Sequence, residues 1–193
     1  MASLVLSGDT SGSITVAAPA VAGSNTQTLV ATTGTLAPIV SGTAITLTNQ
    51  TGPEFTSIPS WVKRITVMLA GVSTNSTGAV LIQVGSGSYS TSGYLSSCGA
   101  INSGTGQAGS TSGLVLTAGP LAAASNFSGA ITLSLINANQ WVSSGNAQYT
   151  TATGAIFMTA GYTPALSGAL DRLRLYIDGT QQFDAGSINI LYE

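Results

Sequence analysis

Histidine is absent from this 193-residue chain, cysteine occurs once, and only four basic and six acidic residues are present. Each shortage removes a class of function. With no histidine and a lone Cys98, neither a Cys/His metal site nor an internal disulfide is open to the chain, and Cys98 is expected to be a buried, inert thiol. Four basic residues cannot line a phosphate-neutralising stripe or a polybasic patch for anionic lipid, so no nucleic acid and no membrane surface is expected as a partner. No run approaches the roughly 18 apolar residues of a membrane span, and the opening MASLVLSGDT has no basic n-region, so the chain is read as made in a cytoplasm, without membrane insertion. General acid/base chemistry normally draws on histidine or paired carboxylates. Here Asp171, Asp178 and Asp184 form only a loose grouping, in which an Asp-Gly hairpin turn explains Asp178 and compensation of Arg172 and Arg174 explains Asp171. The Gly-rich GSGSYSTSGY has no lysine and leads into no helix, so it reads as a hairpin tip and not a phosphate loop. Catalysis, metal and cofactor are all unexpected.

What the chain does contain is hydroxyls and strand formers. Ser and Thr supply roughly a quarter of the residues, against a charged share of 5%. Abundant Val, Ile and Thr with a net charge of −2 favour order over disorder, and 24 glycines recur too often for long helices.

The composition changes near LTNQTGPEFTSIP. Before it the sequence has no aromatic residue; after it come Phe55, Trp61 and longer aliphatic runs, which puts a boundary around residues 49 to 54. In the first part GSITVAA, TQTLVA and AITLTN are short strand candidates bounded by Gly, Pro and Asn. In the second, VKRITVML alternates Lys63, Ile65, Val67 and Leu69 with Val62, Arg64, Thr66 and Met68, and AVLIQVG, GLVLT, AITLSLI, AIFMTAG, LDRLRLYI and SINILYE follow. About seven to nine strands joined by Gly/Ser/Asn turns predict an antiparallel β-sandwich, jelly-roll-like, over residues 51–193. LDRLRLYI sets Leu173, Leu175 and Ile177 on one face and Arg172, Arg174 and Tyr176 on the other. An exposed cationic strand face needs partners, so Arg172 and Arg174 are candidate oligomer contacts.

Aromatic rings in polar surroundings are the candidates for recognition. Tyr89, Tyr94, Trp141 and Tyr149 lie among Gly, Ser and Asn, where rings at loop ends can stack on a sugar or a protein partner, whereas Trp61 in SIPSWVKR reads as core or interface.

Three stretches carry a family resemblance. LVLSGDTSGSITVAAPAVAGSNTQTLVATTGTL, FTSIPSWVKRITVMLAGVST, and LDRLRLY with FDAGSINILYE resemble segments of phage virion structural proteins of the tail-fibre and head-fibre type. The resemblance implies a virion component made in the host bacterium, with an attachment portion and a displayed β-domain whose variation falls between Gly85 and Tyr162. It brings no catalytic residues. The thin apolar content of the first part fits that picture, because strands unable to build a private core become stable when copies of the chain wrap together. Residues 1–50 are therefore expected to be an attachment or shaft segment intertwined between chains, burying Ile14, Val16, Leu29 and Val30 in a homotrimer. Partners would be other virion proteins of tail or capsid and a host surface glycan. A capsid decoration protein and a non-viral, monomeric carbohydrate-binding module have compatible compositions.

Overall fold

The computed structural model describes residues 3–8, 10–17, 20, 37–75, 77–101, 105–119, 123, 125–150, 155–177, 179 and 181–193, and every regular element among them is a β-strand. The chain divides into two units, residues 1–36 and 37–193. In the first, β1 (Ser3–Ser7) and β2 (Ser13–Ala17) form an antiparallel hairpin. Leu4 faces Val16 and Leu6 faces Ile14 across it, so four branched aliphatic side chains share one side, with Val5 and Thr15 on the other. All six are exposed. Leu29 and Val30, the other two expected wrapping residues, lie outside the described residues.

The second unit is built from β3 (Val40–Ser41), β4 (Ile45–Thr46), β5 (Glu54–Thr56), β6 (Arg64–Thr74), β7 (Val80–Ser86), β8 (Ser88–Tyr89), β9 (Leu95–Ile101), β10 (Thr105–Ser110), β11 (Leu114–Val115), β12 (Asn126–Asn137), β13 (Gln140–Tyr149), β14 (Ala155–Tyr162), β15 (Arg172–Ile177) and β16 (Phe183–Tyr192). A nine-stranded sheet runs β10-β9-β14-β13-β12-β6-β16-β3, with β4 also on β16; a five-stranded sheet runs β11-β7-β15-β5, with β8 on β7. Their inner faces share one core, drawn from Ile65, Val67, Phe127, Ile131, Leu133 and Trp141 of the larger sheet and from Val80, Ile82, Val84, Leu173 and Leu175 of the smaller. The antiparallel all-β sandwich expected from the sequence is therefore present. Its strand order, nine against five with a β12-β13-β14 meander, differs from the four-against-four layers of a simple jelly roll.

Alternation explains which residues enter that core. Along β6, Ile65, Val67 and Leu69 point inward, and after Gly71 the phase reverses so that Val72 and Thr74 are buried instead. The partner β16 reverses at Gly186, burying Phe183 before it and Ile188 and Ile190 after it. Both glycines have positive φ, 60° and 91°, and the register of the pair shifts there, the signature of a bulge. Val62 and Leu170, which strict alternation places outward, are buried because they precede their strands and turn into the core.

The boundary lies earlier than expected. Val40, Ser41, Ile45 and Thr46 pair with the C-terminal strand β16, and Leu47 is fully buried in the core, so residues 37–50 belong to the sandwich and not to the N-terminal segment. Low aromatic content misplaced them: their contribution is edge pairing and one leucine.

Candidate functional site

β15 sends Leu173, Leu175 and Ile177 into the core and holds Arg172, Arg174 and Tyr176 on the outer face of the smaller sheet. Register sets Arg174 between Glu54 of β5 and Gln83 of β7. A tight turn at Gly87, whose φ of 71° suits glycine, brings Tyr89 back beside Gly85, and its ring comes to lie over Arg174. The Arg174 guanidinium carbon is 4.2 Å from the ring centroid and that of Arg172 is 5.8 Å away.

Hydrogen bonds fix this cluster. The Tyr89 hydroxyl donates to Glu54 Oε2 at 2.7 Å. Arg174 Nε and Nη2 both donate to Gln83 Oε1, at 3.0 and 2.7 Å, and the buried Gln83 amide donates to the Ser112 carbonyl at 2.7 Å. Arg172 Nε donates to Asp171 Oδ1 at 2.7 Å, and Asp171 Oδ2 accepts from the Gly87 amide at 3.0 Å. Partial burial, reinforced by the Glu54 carboxylate, pushes the Tyr89 hydroxyl well above the usual phenol range, so it stays protonated and donating. The hydrogen bond from Arg172 holds the Asp171 carboxyl below the usual carboxylate range. The cationic strand face thus finds partners within the chain, Asp171 for Arg172 and Gln83 with the Tyr89 ring for Arg174.

Glu54 also borders a cleft of 310 Å³ at the open side of the sandwich, where the edge strands β4 and β5 stand apart; Thr43, Thr56, Ser57 and Tyr192 line it with Glu54. Ser57 holds a φ of 60°, unusual for a residue with a side chain. Against Tyr192 lies Trp61, 40% exposed with ring centroids 5.9 Å apart, so it stands at the surface and not in the core. A carboxylate, four hydroxyls and the Tyr192 ring, with Trp61 against that ring, make a surface suited to holding a polyhydroxylated ligand by hydrogen bonds and stacking. Sequence reasoning found Tyr89 but missed Glu54 and Tyr192, whose one available signal was an acidic or aromatic residue in an otherwise neutral stretch.

The other expected contact residues lie elsewhere. Tyr94 is 2% exposed: its hydroxyl accepts from the Val84 amide at 2.9 Å and reaches the Ser90 carbonyl at 3.0 Å, stitching β7 to the start of β9. Burial pushes its pKa up to about 12. Trp141 is 2% exposed on the inner face of β13. Neither ring is presented to a partner. Ser96 and Ser143, polar neighbours two residues on, are buried with the rings, while the residues that point outward beside them are Leu95 and Val142, so polar sequence surroundings do not mark a ring as exposed. Tyr149 is half-buried, stacked on Phe157 at 4.9 Å with its hydroxyl 2.8 Å from Ser125 Oγ. It sits at the far end of β13 from Trp141, about 26 Å away at the usual strand rise, so the four rings do not form one site. Cys98 is buried as expected, and burial pushes its thiol up to about 12.

Sequence reasoning also passed over an outward apolar stripe on the larger sheet, formed by Leu95, Ile101, Val142, Ile156, Met158 and Tyr162. In comparisons with known proteins, no family model, no curated protein and no solved structure matches the chain.

Proposed function

We propose that the chain is a structural protein of a bacteriophage virion, a homotrimeric fibre component that joins other virion proteins through its N-terminal unit and displays the β-sandwich. The observation that carries this reading is the β1–β2 hairpin: Leu4, Leu6, Ile14 and Val16 are all more than half exposed on one side of a two-stranded element. A lone hairpin is at best marginally stable in water, so such an element calls for cover by other copies or by a virion partner. The resemblance of its sequence to phage virion proteins supports the same setting. Host contact falls to Tyr89 and the cleft beside Glu54, which offer hydroxyl, carboxylate and ring chemistry appropriate to a surface glycan.

A second reading, capsid decoration, is favoured by the burial of Tyr94 and Trp141, since a cement protein needs no receptor site on its outer loops. Electron microscopy of intact particles labelled with an antibody against residues 37–193 separates the two. Label on tail fibres is expected; label spread over the head supports decoration, and particles bearing no label would sink both.

A further inference from the structure

Between Arg64 and Asp171 the sequence has no charged residue, and β7 through β14 all fall in this interval. Three of those strands, β9, β14 and β13, lie side by side in the larger sheet. Their inner residues, among them Cys98, Phe157 and Trp141, are buried, while Leu95, Ile101, Val142, Ile156, Met158 and Tyr162 point outward with 38% to 60% of their surface exposed. Register gathers these six into a stripe. Ile156 lies opposite Ile101 at one end, Tyr162 lies between Leu95 and Val142 at the other, and Met158 stands between Gly99 and Asn146. The stripe follows β14 for about 20 Å at the usual strand rise.

The stripe is at the upper end of what soluble monomers expose. Its six residues present about 500–600 Å² together, where the largest apolar patch on a typical monomer is about 300–600 Å² and is often functional. With the neutral rows of Ser, Gly, Ala and Asn beside it, the face reaches the roughly 800 Å² that each partner contributes to a standard stable interface. Over Gly99, Ser144, Asn146 and Met158 it dips into a shallow depression of 620 Å³, where small side chains let another surface approach closely.

Charge identifies the occupant. An acidic or basic partner would find nothing on this face to select it, whereas an identical copy meets it with no like-charge repulsion and no ion stripped of water. The amides of Gln107, Asn146 and Gln148 each carry donor and acceptor, so the polar rows are complementary to themselves. We propose that the outer face of β9, β14 and β13 is the surface through which copies of this chain associate, three copies setting their stripes around a common axis. This assigns the contact surface of the oligomer in the functional reading above, on which it rests, and moves it away from Arg172 and Arg174.

Light scattering on the purified full chain at micromolar concentration tests the assignment with Ile156→Lys/Met158→Lys. Both positions face outward, so an unchanged circular dichroism spectrum is expected together with a fall in mass from three chains to one, while Arg172→Ala keeps the parent mass. Should the lysines disturb folding, Ile156→Ser/Met158→Ser provides the same test without added charge, and an increase in the dissociation constant of at least about tenfold is expected. A folded lysine or serine variant that associates like the parent overturns the assignment. If deleting residues 1–36 gives monomers while the folded lysine variant stays oligomeric, the hairpin holds the copies together: this inference fails and the functional reading stands. A parent chain that is itself monomeric overturns both.

Discussion

Tyr89 and Tyr94 are five residues apart in one Gly/Ser-rich stretch, and nothing in their immediate neighbours separates them. Structure separates them completely. The Tyr94 hydroxyl is the partner of a buried backbone amide, that of Val84, so its removal leaves a desolvated donor with nothing to bond. Tyr94→Phe is expected to lower the free energy of unfolding by about 1–3 kcal/mol. Tyr89 donates to Glu54 in an exposed setting where water can replace it, and Tyr89→Phe is expected to change stability by less than about 1 kcal/mol. Urea unfolding followed by tryptophan fluorescence checks both, and equal losses would show that the two hydroxyls are not distinguished by burial. The same contrast governs any test of glycan recognition. Replacing Trp141 by alanine would open a core cavity at a cost of about 3–5 kcal/mol, so lost binding in such a variant would report unfolding, whereas Tyr89→Ala probes the surface.

Strands were the most legible elements, because a sheet that buries one face writes a period of two into its sequence. RLRLYI reads correctly from end to end, and so does RITVML as far as Leu69. Beyond Leu69 the reading inverts, since the bulge at Gly71 and Gly186 moves the next residues to the opposite face and no local pattern announces it. AIFMTAGY held a signal that the sequence reading passed over. Apolar residues occupy both phases, Phe157 inward and Ile156 and Met158 outward, which is the pattern of a strand covered on two sides. The bulge can be tested by giving Gly186 a side chain. An added Cβ would stand 2.3 Å from the Gly71 carbonyl oxygen and 2.4 Å from its carbon, on a backbone whose φ of 91° already disfavours any other residue. Gly186→Ala is expected to destabilise by on the order of 3 kcal/mol, strain and overpacking together. Gly52→Ala, whose Cβ would meet nothing nearer than the Leu175 carbonyl oxygen at 3.7 Å, is the control and should unfold at nearly the parent temperature. An unshifted midpoint for Gly186→Ala would mean that the bulge yields easily and does not fix the register of β6 against β16.

At the scale of the whole molecule the sequence located two parts and misjudged where one ends. Residues 37–50 look like the low-complexity start of the chain, yet they close the edge of the larger sheet through β3 and β4 and place Leu47 in the core. Among the described residues, every buried member of that core lies at or beyond Leu47, so the second unit holds its own hydrophobic interior and is expected to fold without the first. Two truncations discriminate the boundaries. Removing residues 1–36 should leave a sandwich with the circular dichroism of the parent and, at concentrations where both are in the same association state, nearly the same unfolding temperature, while abolishing incorporation into particles. Removing residues 1–48 takes away two edge strands and a buried leucine, a loss of about 2–5 kcal/mol from Leu47 alone, which for a domain of this size lowers the unfolding midpoint by on the order of 10 °C. Differential scanning fluorimetry of the two truncated chains compares them directly. Equal midpoints would return the boundary to the composition change near residue 50 and make β3 and β4 dispensable. A chain lacking residues 1–36 that still enters particles at full copy number would show instead that the sandwich carries the attachment surface, and the exposed hairpin would need another explanation.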